Sequence, residues 1–177
     1  EDRDGWLPTA RLGARYDAGS DLYLRAAAYA GFRPATLNEL YRPFRVGNDV
    51  TEANAGLEPE KLYGIEFGLG AEGPWRWDVT VFANRLDGAI ANVTVGFGPG
   101  TFPVAGFIPE GGVLRQRQNA GEVDAYGVEA EVARSWEAAS LRLAAAYTDA
   151  EVDGGSAAPQ LTGLRPAQTP RLTATAE

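Results

Sequence analysis

Apolar and polar residues alternate along this chain in runs of about ten, joined by connections that are by turns very short and very long. Trp75-Arg76-Trp77-Asp78-Val79-Thr80-Val81-Phe82-Ala83-Asn84 displays the pattern. Trp75, Trp77, Val79, Val81 and Ala83 share one face; Arg76, Asp78, Thr80 and Asn84 take the other, because strand side chains alternate. The period of two predicts strands over residues 6–16, 22–31, 61–71, from 75 to beyond Ile90, 119–136, 139–151, and from Thr169 onward. Ala18-Gly19-Ser20-Asp21, Glu72-Gly73-Pro74 and Glu137-Ala138 are tight turns. Residues 32–60, 96–112 and 152–168 are long connections.

This rhythm predicts an all-β chain: one antiparallel up-and-down transmembrane β-barrel segment of about seven strands over residues 1–177. Short turns then face the periplasm and long loops the exterior. Aromatics fall at both expected interfaces. Tyr16, Trp75, Trp77 and Trp136 lie beside the short turns, and Trp6, Tyr29 and Tyr147 at the opposite ends. The face that meets lipid follows from cost. The reverse parity would put Arg25, Arg76, Asp78, Glu129, Glu131 and Arg142 into hydrocarbon, and one Arg at mid-bilayer costs ~2–4 kcal/mol. Those charges therefore line the lumen. Arg85 and Arg134 break the parity, but near strand ends, where an interface tolerates them. A soluble β-sandwich also alternates and stands as the alternative fold. Its apolar face would be rich in Ala and poor in Ile and Phe, weak material for a packed core.

Composition narrows the chemistry. The chain has no Cys and no His, so thiolate sites, the commonest metal ligand and the commonest general base are missing. With no nucleophile setting, an enzyme is not expected, nor are a cofactor or a resident metal. A net charge of −8 argues against nucleic acid as a partner. No apolar run reaches the ~20 residues of a membrane helix, and the mean hydropathy of −0.24 hides the alternating apolar face. The polar opening Glu1-Asp2-Arg3-Asp4 carries no export leader, and Thr173-Ala174-Thr175-Ala176-Glu177 ends in mid-alternation. Both ends suggest a piece of a longer protein.

Several short patterns resolve to bland readings. Gly68-Leu69-Gly70-Ala71-Glu72-Gly73 has dinucleotide-loop spacing but leads into a strand, not a helix. Gly96-Phe97-Gly98-Pro99-Gly100 lacks the lysine of a phosphate loop. Glu129 and Glu131 share a face as a carboxylate pair would, and read instead as lumen charges paired with Arg142 or Arg76. Asp149, Glu151 and Asp153 read as a solvated rim rather than a calcium site, and Asn92-Val93-Thr94 is a glycosylation sequon by pattern only.

The first long connection carries a resemblance. Gly31-Phe32-Arg33-Pro34-Ala35-Thr36-Leu37-Asn38-Glu39-Leu40-Tyr41 resembles a stretch of TonB-dependent outer-membrane receptors, though Arg33 directly precedes Pro34. Asn54-Ala55-Gly56-Leu57-Glu58-Pro59-Glu60 is similar to that family's Asn-Pro-x-Leu-x-Pro-Glu, with Ala55 in place of proline. Tyr63-Gly64-Ile65-Glu66-Phe67-Gly68-Leu69, Asn119-Ala120-Gly121, Tyr126-Gly127-Val128-Glu129, and Gly163-Leu164-Arg165-Pro166 through Pro170-Arg171 follow in family order. The resemblance implies the C-terminal part of a receptor barrel in the outer membrane of a Gram-negative bacterium. The plug domain, TonB box and remaining strands would lie elsewhere. It further implies outer-membrane lipid around the barrel, the TonB complex acting through the plug, and import of a scarce ligand. A ferric siderophore is the first expectation. Cobalamin or another nutrient, or a passive porin or adhesin barrel, are the alternatives.

The signature residues Phe32, Arg33, Pro34, Glu39, Leu40, Tyr41, Asn54, Leu57, Pro59, Glu60, Glu66, Asn119, Gly121, Gly127 and Glu129 are expected to be structural. Arg33 and Glu39 are placed to pair, and Glu60 to accept backbone amides where the third strand starts. Tyr41, Arg42, Phe44 and Arg45, with Arg115 and Arg117 at the lumen parity of the fifth strand, are the candidate ligand contacts. Aromatic faces and guanidinium groups suit a small-molecule anionic metal chelate.

Overall fold

The computed structural model describes residues 6–167 and 169–177; the polar opening Glu1-Asp2-Arg3-Asp4, and Gln168 at the end of the third long connection, lie outside them. Seven long strands form one antiparallel sheet: β1 (Ala10–Ala18), β2 (Leu22–Arg33), β5 (Glu60–Glu72), β6 (Arg76–Asp87), β11 (Glu122–Ser135), β12 (Ser140–Asp153) and β13 (Leu172–Ala176). They neighbour one another in that order, so every pairing joins strands consecutive in this sheet, as in an up-and-down barrel wall. The sheet is an arc, not a closed ring, with β1 and β13 at its edges.

The two faces differ as the alternation requires. Phe67, Val81 and Leu143 on the apolar face are 58%, 50% and 40% exposed, and among the described residues no second protein layer covers them. A sandwich would bury this face, so the sandwich alternative fails. The polar face is concave: Arg15 of β1 and Thr173 of β13, at opposite edges, line one hollow of about 580 Å³. On that face Gly64, Gly68 and Gly70 stand opposite Tyr29, Arg25 and Tyr23. A Cβ at Gly68 would come within 2.6 Å of Arg25 Nε, so glycine lets the long side chain lie flat along the wall.

Several expected boundaries move by a few residues, three of them for a clear reason. The first strand begins at Ala10, and Trp6 stands outside it, fully exposed; Pro8 between them has no N–H for a ladder. The fourth ends at Asp87 instead of passing Ile90, because the chain turns at Gly88 (φ +66°). The fifth begins at Glu122 instead of Asn119, because it turns again at Gly121 (φ +105°). These two bends are one feature. Ala89 N–H donates to Gly121 O at 3.1 Å and Ala120 N–H to Ala89 O at 2.7 Å, so both chains leave the wall at the same level.

Beyond the bends the long connections fold. β7 (Ile90–Phe97) and β10 (Val113–Asn119) join β3 (Phe44–Val46) and β4 (Asp49–Glu52) in a second sheet of order β3-β4-β10-β7, with β4 and β10 parallel. The hairpin β8 (Gly100–Phe102) and β9 (Gly106–Ile108) packs Phe102 and Ile108 on Val50 and Leu114. A second small cluster joins Val93, Ala120 and Ala158. The buried apolar clusters therefore lie in the outer loops, not between layers of the main sheet.

Candidate functional site

Many side chains of the polar wall are matched in pairs. Arg25 Nη2 donates to Asp78 Oδ1 and to Thr80 Oγ1, each at 2.5 Å, and Tyr23 Oη donates to Asp78 Oδ2 at 3.0 Å. Tyr29 Oη lies 2.8 Å from Asn84 Oδ1 and 3.1 Å from Glu66 Oε1. Nearer the short turns, Arg15 Nη2 donates to Glu72 and Arg142 Nη2 to Glu131, both at 2.8 Å. Glu129 faces the hollow with no ion-pair partner among the described residues. Such a wall stays wet and polar while most of its charge is neutralised locally.

At the long-loop end, one ion cluster ties three segments together. Arg33 and Glu60 close the β2–β5 ladder as its last pair, with Arg33 Nε 2.5 Å from Glu60 Oε2. Glu60 Oε1 accepts the Ile90 N–H at 2.7 Å. The Arg33 fork also reaches Glu39 Oε2 at 3.0 Å and Oε1 at 3.3 Å. Glu39 belongs to the helix α1 (Leu37–Tyr41), whose start is a capping box: Thr36 Oγ1 accepts Glu39 N–H, and Glu39 Oε2 accepts Thr36 N–H at 2.7 Å. Partial burial alone would raise the Glu39 carboxyl, but the Arg33 and Thr36 bonds outweigh it and hold it below the usual range. Residues 32–60, expected to be connection throughout, thus contain a helix. Its signal was Thr36-x-x-Glu39 just after Pro34.

Four more signature residues, Asn54, Leu57, Asn119 and Gly121, lie at the same level. Asn119 Oδ1 accepts Glu58 N–H at 2.8 Å, while its Nδ2 donates to Glu58 O and Gly88 O at 2.9 and 2.7 Å. Asn54 Nδ2 donates to Arg117 O at 2.9 Å, and Leu57 is buried. A side chain at Gly121 would overlap the Asp153 carbonyl.

The six candidate contacts separate into two groups. Arg117 Nη1 donates to Asn38 O and, at 3.0 Å, to Arg42 O, capping the end of α1, with its guanidinium 5.3 Å from the Phe44 ring centre. Tyr41, Arg42, Phe44 and Arg117 thus gather around α1, and the Arg42 side chain is exposed with no partner among the described residues. Arg45 turns away to Ala105 O and Phe107 O, each at 3.2 Å. Arg115 pairs with Asp49 at 2.9 Å; that guanidinium, with the Val113 amide, holds the Asp49 carboxyl below its usual range. Arg115 and Arg117 do not continue the fifth wall strand, as their parity suggested. They belong to β10, which Gly121 severs from β11. On the rim, Asp149 is engaged by Arg165 at 2.8 Å and by Tyr126 Oη at 3.0 Å.

A family model described as TonB dependent receptor-like, beta-barrel, matches residues 1–177. No curated protein sequence matches the chain. Among solved structures, the siderophore receptor PirA from Pseudomonas aeruginosa matches with a TM-score of 0.67 at 17% identity, over 82% of this chain and 28% of that one. A mutant ferric enterobactin receptor from Pseudomonas aeruginosa, PfeA, in complex with enterobactin, gives 0.60 at 16% identity, over 80% and 22%. The copper transporter OprC gives 0.59 at 16% identity, over 82% and 21%. The chain thus spans roughly a quarter of these receptors' length, and at such identities the likeness is one of fold.

Proposed function

The chain belongs to the TonB-dependent receptor β-barrel family, and from that membership we propose that it forms part of the wall and outer loops of an outer-membrane receptor importing a scarce ligand, a ferric siderophore first, with energy from the TonB system. The observation that carries this reading is the two-faced arc: an uncovered apolar face outside, and a concave face of paired charges inside. The first suits lipid; the second suits a wet passage. The proposed ligand contacts are Tyr41, Arg42 and Phe44, held in place by Arg117, with Arg45 and Arg115 as lesser candidates because their side chains are already engaged. The signature residues are read as structural braces, since Asn54 and Asn119 tie the long connections to one another and Arg33 and Glu60 tie those connections to the wall. Another nutrient of the same family is the second reading, supported by the copper transporter among the structural relatives.

Uptake by the full-length receptor under iron limitation tests the proposal. We expect ferric-chelate uptake that needs TonB and falls with a Tyr41→Ala/Arg42→Ala pair. Uptake indifferent to TonB would favour a passive barrel.

A further inference from the structure

Two arginines carry the parity of the apolar face, and they are not alike. Arg85, at the long-loop rim, pairs with Asp124 at 2.7 Å and Glu122 at 3.5 Å. Arg134, at the short-turn rim, has no ion-pair or hydrogen-bond partner among the described residues. Its guanidinium carbon stands 5.0 Å from the ring centres of both Trp75 and Trp136. Those indoles meet edge to face, 6.2 Å apart at 86°. The corner is built by sheet register: Trp75 lies one residue beyond the last β6–β11 pair, Ala133↔Arg76, and Trp136 follows two residues after Arg134.

We infer that Arg134, Trp75 and Trp136 form a headgroup site for the phosphate of a phospholipid in the periplasmic leaflet. This rests on the proposed membrane placement of the apolar face. Indoles settle at the headgroup level, where one edge is wet and the other greasy. The guanidinium lies over both indoles at the corner they make, and a ring face offers its N–H donors no oxygen acceptor. A planar fork of unsatisfied donors, fixed at phosphate depth, matches two oxygens of a phosphodiester. Carboxylates occupy the equivalent fork of Arg85; lipid supplies the anion for Arg134.

Native mass spectrometry of the full-length receptor, titrated with phosphatidylglycerol, reads the site. We expect one tight adduct, weakened roughly ten-fold by Arg134→Gln and less by Arg134→Lys, which keeps the charge but loses the fork. Diacylglycerol of the same chain length should not compete. An undiminished adduct in both variants, or equal binding of diacylglycerol, overturns the site while leaving the receptor reading intact. Should Arg134→Gln fail to assemble, Arg134→Lys alone decides by the same criterion. Wild-type receptor recovered outside the membrane fraction would overturn the membrane placement and the site together.

Discussion

Glu60 Oε1 accepts the backbone N–H of Ile90 at 2.7 Å, so a side chain at the start of β5 holds the first residue of β7. Its other oxygen takes Arg33 at 2.5 Å. One largely buried carboxylate therefore joins wall and second sheet, and Arg33 extends the link to the helix-bearing loop.

Removing that carboxylate should loosen the outer loops without dissolving the wall. Glu60→Ala strands the Ile90 amide and frees Arg33 from one partner, a cost of about 1–3 kcal/mol. Glu60→Gln, which keeps an acceptor, should cost less. Limited proteolysis of the assembled receptor checks this: faster cleavage within residues 90–119 is expected for Ala, with the β-sheet circular-dichroism signal unchanged.

The Arg33–Glu39 pair makes the same region acid-sensitive. The Glu39 carboxyl is held below its ordinary value of 4.5, so the folded loop binds its proton less readily than the unfolded one. Its stabilising share is complete above that value and fades as acid titrates the folded carboxyl below it. Amide protection across Leu37–Tyr41, with exchange rates corrected for their intrinsic pH dependence, should fall only at the acid end of a series from neutral to about pH 3. Glu39→Gln should flatten that profile.

Gly127 tolerates no side chain. A Cβ there would overlap the Tyr147 carbonyl and come within 2.8 Å of the Phe82 ring. At Gly68 the obstacle is the flexible Arg25 side chain. Gly127→Ala should therefore destabilise the wall by about 1–3 kcal/mol, and Gly68→Ala by less. Denaturant unfolding of the refolded receptor, read by tryptophan fluorescence, ranks the two.

Parity predicts opposite outcomes for one substitution on the two faces. Val81→Arg puts a charge at the centre of the apolar face and should cost about 2–4 kcal/mol, visible as lost heat-modifiability of the assembled barrel. Ala146→Arg sits opposite Glu129 on the polar face and gives that carboxylate a partner. Assembly of this variant should match wild type. Equal damage from both would remove the distinction between lipid and lumen.

The alternation alone identified the seven wall strands, the short turns and which face is greasy. Those are local properties: a period of two is written into consecutive residues, and Arg25, Asp78 and Glu131 cannot face hydrocarbon whatever their neighbours. The pairing of Arg33 with Glu39, six residues apart, was legible for the same reason. The sequence could not show where β6 and β11 stop, because Gly88 and Gly121 become a common bend only once their strands are paired. Nor could it separate Arg117, capping α1, from Arg115, bound to Asp49, or bring Trp75 to Arg134. Those contacts join residues dozens of positions apart, and only the register of the folded sheets decides which of them meet.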